Sequence, residues 1–226
     1  MNVATRPWMT TLLFGAACAA IAMPPAFAQA PAAAPAPAAA PAAAKPAPAP
    51  CPTADEARRI TEAYAKPQLP FAAAAALKLP EVVVAGGMPA ALGRGVDGSA
   101  FPAVWNSLTA WPTAMLLLRK GGNVFEIETR ILPGKPSTRS NYFNLDHGAA
   151  FSGHLRPDLV TAIHAVQIKG DEGTIRGVFF FDGSGENVFG VTLPEGRETP
   201  DPALVAAFDK TWALFGSLPG RCAAPR

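Results

Sequence analysis

Histidine, cysteine and tyrosine are scarce in this chain: among 226 residues there are three histidines, three cysteines and two tyrosines. So few nitrogen and sulfur donors, with no Cys-x-x-Cys, argue against a structural zinc cluster. Charge is also thin, at 16% of residues, and nearly balanced at a formal +2. No basic cluster suited to nucleic acid or to an anionic membrane patch is present. Several common enzyme signatures are missing: there is no G-x-S-x-G, no H-E-x-x-H and no P-loop. Gly183-Ser184-Gly185 is glycine-rich as a hairpin turn, not as a phosphate loop. After the N-terminal segment, no apolar run reaches the roughly 20 residues that a spanning helix needs.

What is present begins with an export signal. Arg6 supplies a basic start, Met9 to Met23 form an uncharged apolar stretch, and Ala26-Phe27-Ala28 has the small-x-small pattern of a cleavage site. Residues 1–28 therefore read as a signal peptide with Gln29 as the first mature residue, which places the protein in the periplasm. Residues 29–50 are an Ala/Pro-rich spacer. From Ala30 to Pro50 only Lys45 interrupts Ala and Pro, and seven prolines in 21 residues favour extended chain over a core. Residues 51–226 suit one domain with one core. The mature chain keeps two cysteines, Cys51 and Cys222, and an even count in an exported protein predicts a disulfide that pins the domain's ends together.

Thr53-Ala54-Asp55-Glu56 has the spacing of a capping box and opens a helix that ends before Pro67. A short helix over Phe71 to Leu77 follows, and Glu81 to Val84 reads as a short extended piece. Phe101, Val104, Trp105 and Leu108 mark one helical face. Thr113 to Arg119 and Val124 to Ile131 make a hairpin around Gly121-Gly122. In its second arm Phe125, Ile127, Thr129 and Ile131 alternate with polar or exposed positions, as in an antiparallel sheet with one solvated side. Further strands are expected at Tyr142–Leu145, Val160–Ile168, Ile175–Asp182 and Asn187–Leu193, and a last helix over Asp201 to Phe215. The fold class is α+β: a large antiparallel meander flanked by N- and C-terminal helices.

Tyr142-Phe143-Asn144-Leu145, Gly153-His154-Leu155 and the Phe180 to Phe189 hairpin, preceded by Leu79-Pro80-Glu81-Val82-Val83 and the Phe101 to Trp111 helix, resemble the ChuX/HutX family of haem-utilisation carriers. The resemblance runs from about Leu79 to Leu193 and lies in the order and spacing of these pieces. It implies a homodimer built by sheet packing, and haem held as a bound ligand in a cleft beside the sheets. A protein of unknown identity would donate or accept the haem. His154 takes the Gly-His position and Tyr142 the aromatic position, so these are the first expected iron ligands, with His147 a third donor nearby.

Haem further needs an apolar slot and cations near its propionates. Phe143, Phe151 and Leu155 are the expected slot residues, and Arg139, Arg156 and Lys135 the nearest cations. The residues themselves leave plainer readings open: a solvated or backbone-bonded loop histidine, a packing tyrosine at 142, and a satisfied core or interface histidine at 164. Two features depart from the family pattern. Arg139-Ser140-Asn141 stands where some members place a histidine, and familiar members lack an export signal. A non-haem envelope module that keeps the fold is the alternative function, and no catalytic residues are assigned.

Overall fold

The computed structural model describes residues 46–120, 122–170, 173–194 and 201–222. The expected signal peptide, residues 29–45 of the expected spacer and Gly121 of the hairpin turn lie outside the described residues.

Three helices open the domain: α1 (Ala54–Ala63), α2 (Pro70–Leu77) and α3 (Glu81–Gly87). The capping box forms as expected. Thr53 N–H donates to Glu56 Oε2 at 2.7 Å, and Glu56 N–H donates to Thr53 Oγ1 at 3.3 Å, which satisfies two backbone donors at the helix start. Segment 81–84 corrects the sequence reading, because it is helical and not extended. Pro80 sits at the N-cap, Val82 N–H donates to Gly185 O, and Val82, Val83, Val84 and Ala85 are all buried. Burial on every side overrides the modest helix penalty of three β-branched residues.

Strand β1 (Gly93–Asp97) was not expected. Helix α4 (Phe101–Leu108) buries the four expected residues. Strands β2 (Ala114–Lys120) and β3 (Asn123–Thr129) form the expected hairpin, with Gly122 at a φ of +81° that only glycine adopts without strain. Three short strands come next: β4 (Gly134–Pro136), β5 (Phe143–Leu145) and β6 (His154–Leu155). They are followed by β7 (Val160–Gly170), β8 (Gly173–Asp182), β9 (Asn187–Thr192) and helix α5 (Pro202–Ser217).

The large sheet is antiparallel throughout, in the order β1-β7-β8-β9-β2-β3, and the small sheet runs β4-β5-β6. Its central strands are covered on both faces, so the single solvated side expected for the sheet holds only toward β3. Ile163, Ala165, Val178 and Phe180 meet α4, α5 and the inner face of the small sheet. Ala162, Val166, Phe179 and Phe181 meet the helices α1 to α3. Three consecutive phenylalanines in β8 thus serve two cores, because successive strand side chains point to opposite faces. At the far edge, Ile127, Thr129 and Ile131 turn inward as expected, while Phe125 is 52% exposed where the hairpin outruns the core.

The expected disulfide is present, joining Cys51 to Cys222 with their Cα atoms 5.4 Å apart. The residues before Cys222 lie along β1: Gly220 bridges Val96, and Arg221 N–H donates to Gly95 O at 2.8 Å. Arg221 also pairs with Asp97 at 2.9 Å and donates to Ala49 O. His164, expected as a satisfied core or interface histidine, is core but not satisfied. It is 1% exposed, and neither ring nitrogen has a hydrogen-bond partner among the described residues.

Candidate functional site

The small sheet has two unlike faces, and strand alternation assigns them. Register pairs Pro136 with Phe143 and Phe143 with Leu155, while Lys135 pairs with Asn144 and Asn144 with His154. The first row turns inward. Phe143 is 8% exposed and packs edge-on against Phe101 and Trp105, at ring separations of 5.4 Å and 6.2 Å. Leu155 packs against the same core, and Phe151 lies 6.3 Å from the rings of both Trp105 and Phe189. These three expected slot residues therefore anchor the small sheet to the domain. Phe143 is the most deeply committed of the three, packed against Phe101 and Trp105.

The second row is the outer face, where the expected donors gather. His154 is exposed, and its Nδ1 lies 2.7 Å from Asn144 Oδ1. Tyr142, 43% exposed, packs edge-to-face against the His154 ring at 5.9 Å. The Arg156 guanidinium lies over the Tyr142 ring at 5.6 Å. Arg156 is also held by Asp158 through two hydrogen bonds, Nε to Oδ1 at 2.7 Å and Nη2 to Oδ2 at 2.6 Å. That charge-assisted pair lowers the Asp158 pKa below the ordinary carboxylate range and raises that of Arg156. The side chain of Asn141 adds a 3.3 Å hydrogen bond to Asp158.

Lys135 is exposed and has no ion-pair partner among the described residues. Two inter-strand spacings separate its backbone from that of His154, roughly 10 Å. Arg139 is exposed in the loop before β5, its N–H bonded to Ser137 Oγ. His147 is exposed in the loop after β5 and makes no hydrogen bond or ring contact with the cluster among the described residues. Asn144 and Asp158 belong to the site and were missed in the sequence. The alternation of Tyr142-Phe143-Asn144-Leu145 already put Asn144 beside Tyr142 and opposite Phe143.

This face can donate an imidazole or phenol to a metal and offer cations to an anionic ligand. The Tyr142 and His154 rings touch, so a macrocycle cannot enter between them, and both would approach an iron from the same side. A separate open cleft of about 600 Å³ lies where Phe71, Leu79 and Glu81 meet Arg119, Val124 and Glu186. Burial raises the Glu81 pKa, against the opposing effect of Arg119, which is 2.8 Å away and stacked on Phe71 at 4.5 Å. Among the described residues no histidine, tyrosine, cysteine or methionine lines that cleft.

The sequence profile of the family described as Haem utilisation ChuX/HutX matches residues 94–210, just over half of the chain. No curated protein matches the sequence. Among solved structures, the haem-binding protein ChuX aligns with a TM-score of 0.61 at 21% identity, covering 70% of this chain and 99% of its own. Holo-PhuS, a haem-binding protein from Pseudomonas aeruginosa, aligns with a TM-score of 0.56 at 14% identity, covering 77% of this chain and 50% of its own. ChuS, described as an E. coli haem oxygenase, has a TM-score of 0.56 at 14% identity, covering 74% of this chain and 50% of its own. At these identities the likeness is one of fold, and the α+β architecture with a large antiparallel sheet is shared.

Proposed function

This chain belongs to the haem utilisation ChuX/HutX family, and on that premise we propose that it carries haem on the outer face of the β4-β5-β6 sheet. The observation that carries the reading is the convergence of His154, Tyr142 and Arg156 on one exposed face, with Lys135 two strands away. Haem is the cargo here, not a resident cofactor. The donors and cations fit it: an imidazole for the iron, and basic side chains for the propionates. The apolar slot inferred from the sequence is not part of this face, since Phe143, Phe151 and Leu155 support it from below.

His154 is the axial donor in this proposal. Tyr142 sits against the same side of the ring system and supports or replaces it, without completing a second axial bond. Haem held by one axial bond on an open face leaves by breaking that bond, which suits a carrier. Export to the periplasm is part of the proposal, supported by the signal-like N-terminus and by a disulfide of the kind that persists in oxidising compartments. So is a homodimer. The exposed Val124 and Phe125 on the edge strand β3 support it, since an uncovered apolar edge invites pairing. Sedimentation of the wild type against Phe125→Glu tests the dimer, and two identical monomeric profiles would remove it.

The carrier reading is tested by titrating the purified domain with haemin and following the Soret band. A saturable shift is expected, strongly weakened by His154→Ala and less by Tyr142→Phe. A flat titration overturns the haem reading. Loss of bound haem to tetrapyrrole products on adding a reductant in air overturns the carrier reading in favour of an enzyme.

A further inference from the structure

We infer that Asn144 is a positioning residue that fixes His154 in the tautomer protonated on Nδ1, so that the Nε2 lone pair faces outward. The inference rests on the haem reading above for its use, but the tautomer is a property of the unloaded protein. Asn144 lies on β5, the middle strand of the small sheet, directly across from His154 on β6. Its carboxamide oxygen lies 2.7 Å from His154 Nδ1. With the amide oxygen turned to the ring, Asn144 accepts the hydrogen bond and Nδ1 carries the proton. A neutral imidazole protonated there keeps its lone pair on Nε2, which has no partner among the described residues.

Without this contact the proton of a free imidazole favours the other nitrogen, the one that would have to meet a metal. The lone pair would then point back at β5. A histidine that ligates a metal ordinarily gives its second N–H to an acceptor, which sets both ring orientation and donor strength. Asn144 supplies that acceptor from a paired strand, and it is neutral. A carboxylate at the same position would strengthen the imidazole as a donor and slow release. The neutral amide orients the ring without adding that charge, as exchangeable cargo requires.

The experiment uses the unloaded domain with 15N-labelled histidine. Long-range 15N–1H correlation spectra distinguish a protonated Nδ1 from a protonated Nε2, and the same samples are then titrated with haemin. The wild type should show protonated Nδ1 at His154. Asn144→Leu should move the proton to Nε2 and weaken haemin binding about tenfold, and Asn144→Asp should restore the tautomer and bind haemin at least as tightly as wild type. Protonated Nε2 in the wild type, or an unchanged tautomer in Asn144→Leu, overturns the inference whatever haemin does. Protonated Nδ1 with a flat haemin titration instead overturns the haem reading and leaves the tautomer assignment standing.

Discussion

His164 fills the space that a side chain on Gly95 would need, and the two residues face each other across the β1–β7 register. The imidazole is enclosed by this glycine and by the ring of Phe181, 5.6 Å away and nearly perpendicular. Neither nitrogen finds a hydrogen-bond partner among the described residues. Burial, with a smaller contribution from the positive charge of Arg221, pushes its pKa down from 6.5 to about 3.

That depression makes the fold acid-sensitive, and its direction follows from linkage. Between pH 6.5 and about 3 the unfolded chain binds a proton at position 164 that the folded chain does not. Stability is therefore whole above pH 6.5 and falls as the pH drops toward 3, by an amount on the order of a few kcal/mol. Urea denaturation at pH 7.5 and 4.5 should show this loss in the wild type and a smaller one in His164→Leu. Equal losses in the two proteins would refute the assignment.

The same contact predicts a size constraint at Gly95. Gly95→Ala places a methyl group into the His164 ring and should cost about 1–3 kcal/mol, as overpacking of a tight core usually does. His164→Ala should relieve part of that cost, so a double-mutant cycle should return a favourable coupling between the two substitutions. Additive effects would mean that the ring does not oppose the methyl group.

Much of this architecture was legible because side-chain period and chain punctuation agree. The capping box at Thr53 and Glu56, the 101–108 helical face and the strands β7 to β9 each follow a local rule, and the structure obeys it. The failures are places where a distant partner decides. Glu81-Val82-Val83-Val84 has strand-like composition, yet it folds as a helix because Gly185 and the second core receive it from elsewhere in the chain. Gly93–Asp97 was given no element from the sequence, and it is a strand whose Gly95 accommodates His164. At the site, the donors could be read but their surroundings could not. Phe143 and Tyr142 are adjacent in sequence, and whether an aromatic lines a ligand slot or a core depends on what lies beneath the strand. Here Phe101 and Trp105 lie beneath it.

Lys135 carries a prediction about the cargo's charge. Arg156 shares its charge with Asp158 through two short hydrogen bonds, whereas Lys135 has no ion-pair partner among the described residues and is open to a propionate. Haemin dimethyl ester should bind the wild type several-fold more weakly than haemin, because esterification removes the carboxylates. Lys135→Ala should narrow that difference, whereas Arg139→Ala, further out in its loop, should leave it intact. If Lys135→Ala preserves the full discrimination, the propionates lie elsewhere.

The disulfide has a job beyond joining the ends. Cys51 and Cys222 are 171 positions apart, and closing so long a loop in the unfolded chain is worth about 5 kcal/mol in the chain-entropy model, with less often realised. The bond also holds the segment from Gly220 to Cys222 against β1, where Arg221 N–H meets Gly95 O and its side chain meets Asp97. Replacing both cysteines with alanine should lower the denaturation midpoint by a margin equivalent to about 2–5 kcal/mol. It should also speed hydrogen exchange at the Arg221 amide far more than in β7 or β8, whose two buried faces keep them paired. A reductant should reproduce both effects in the wild type and neither in the alanine variant. Unchanged exchange at Arg221 would mean that the terminal segment holds to β1 through its hydrogen bonds alone. The edge strand would then be capped equally well in an oxidising or a reducing compartment.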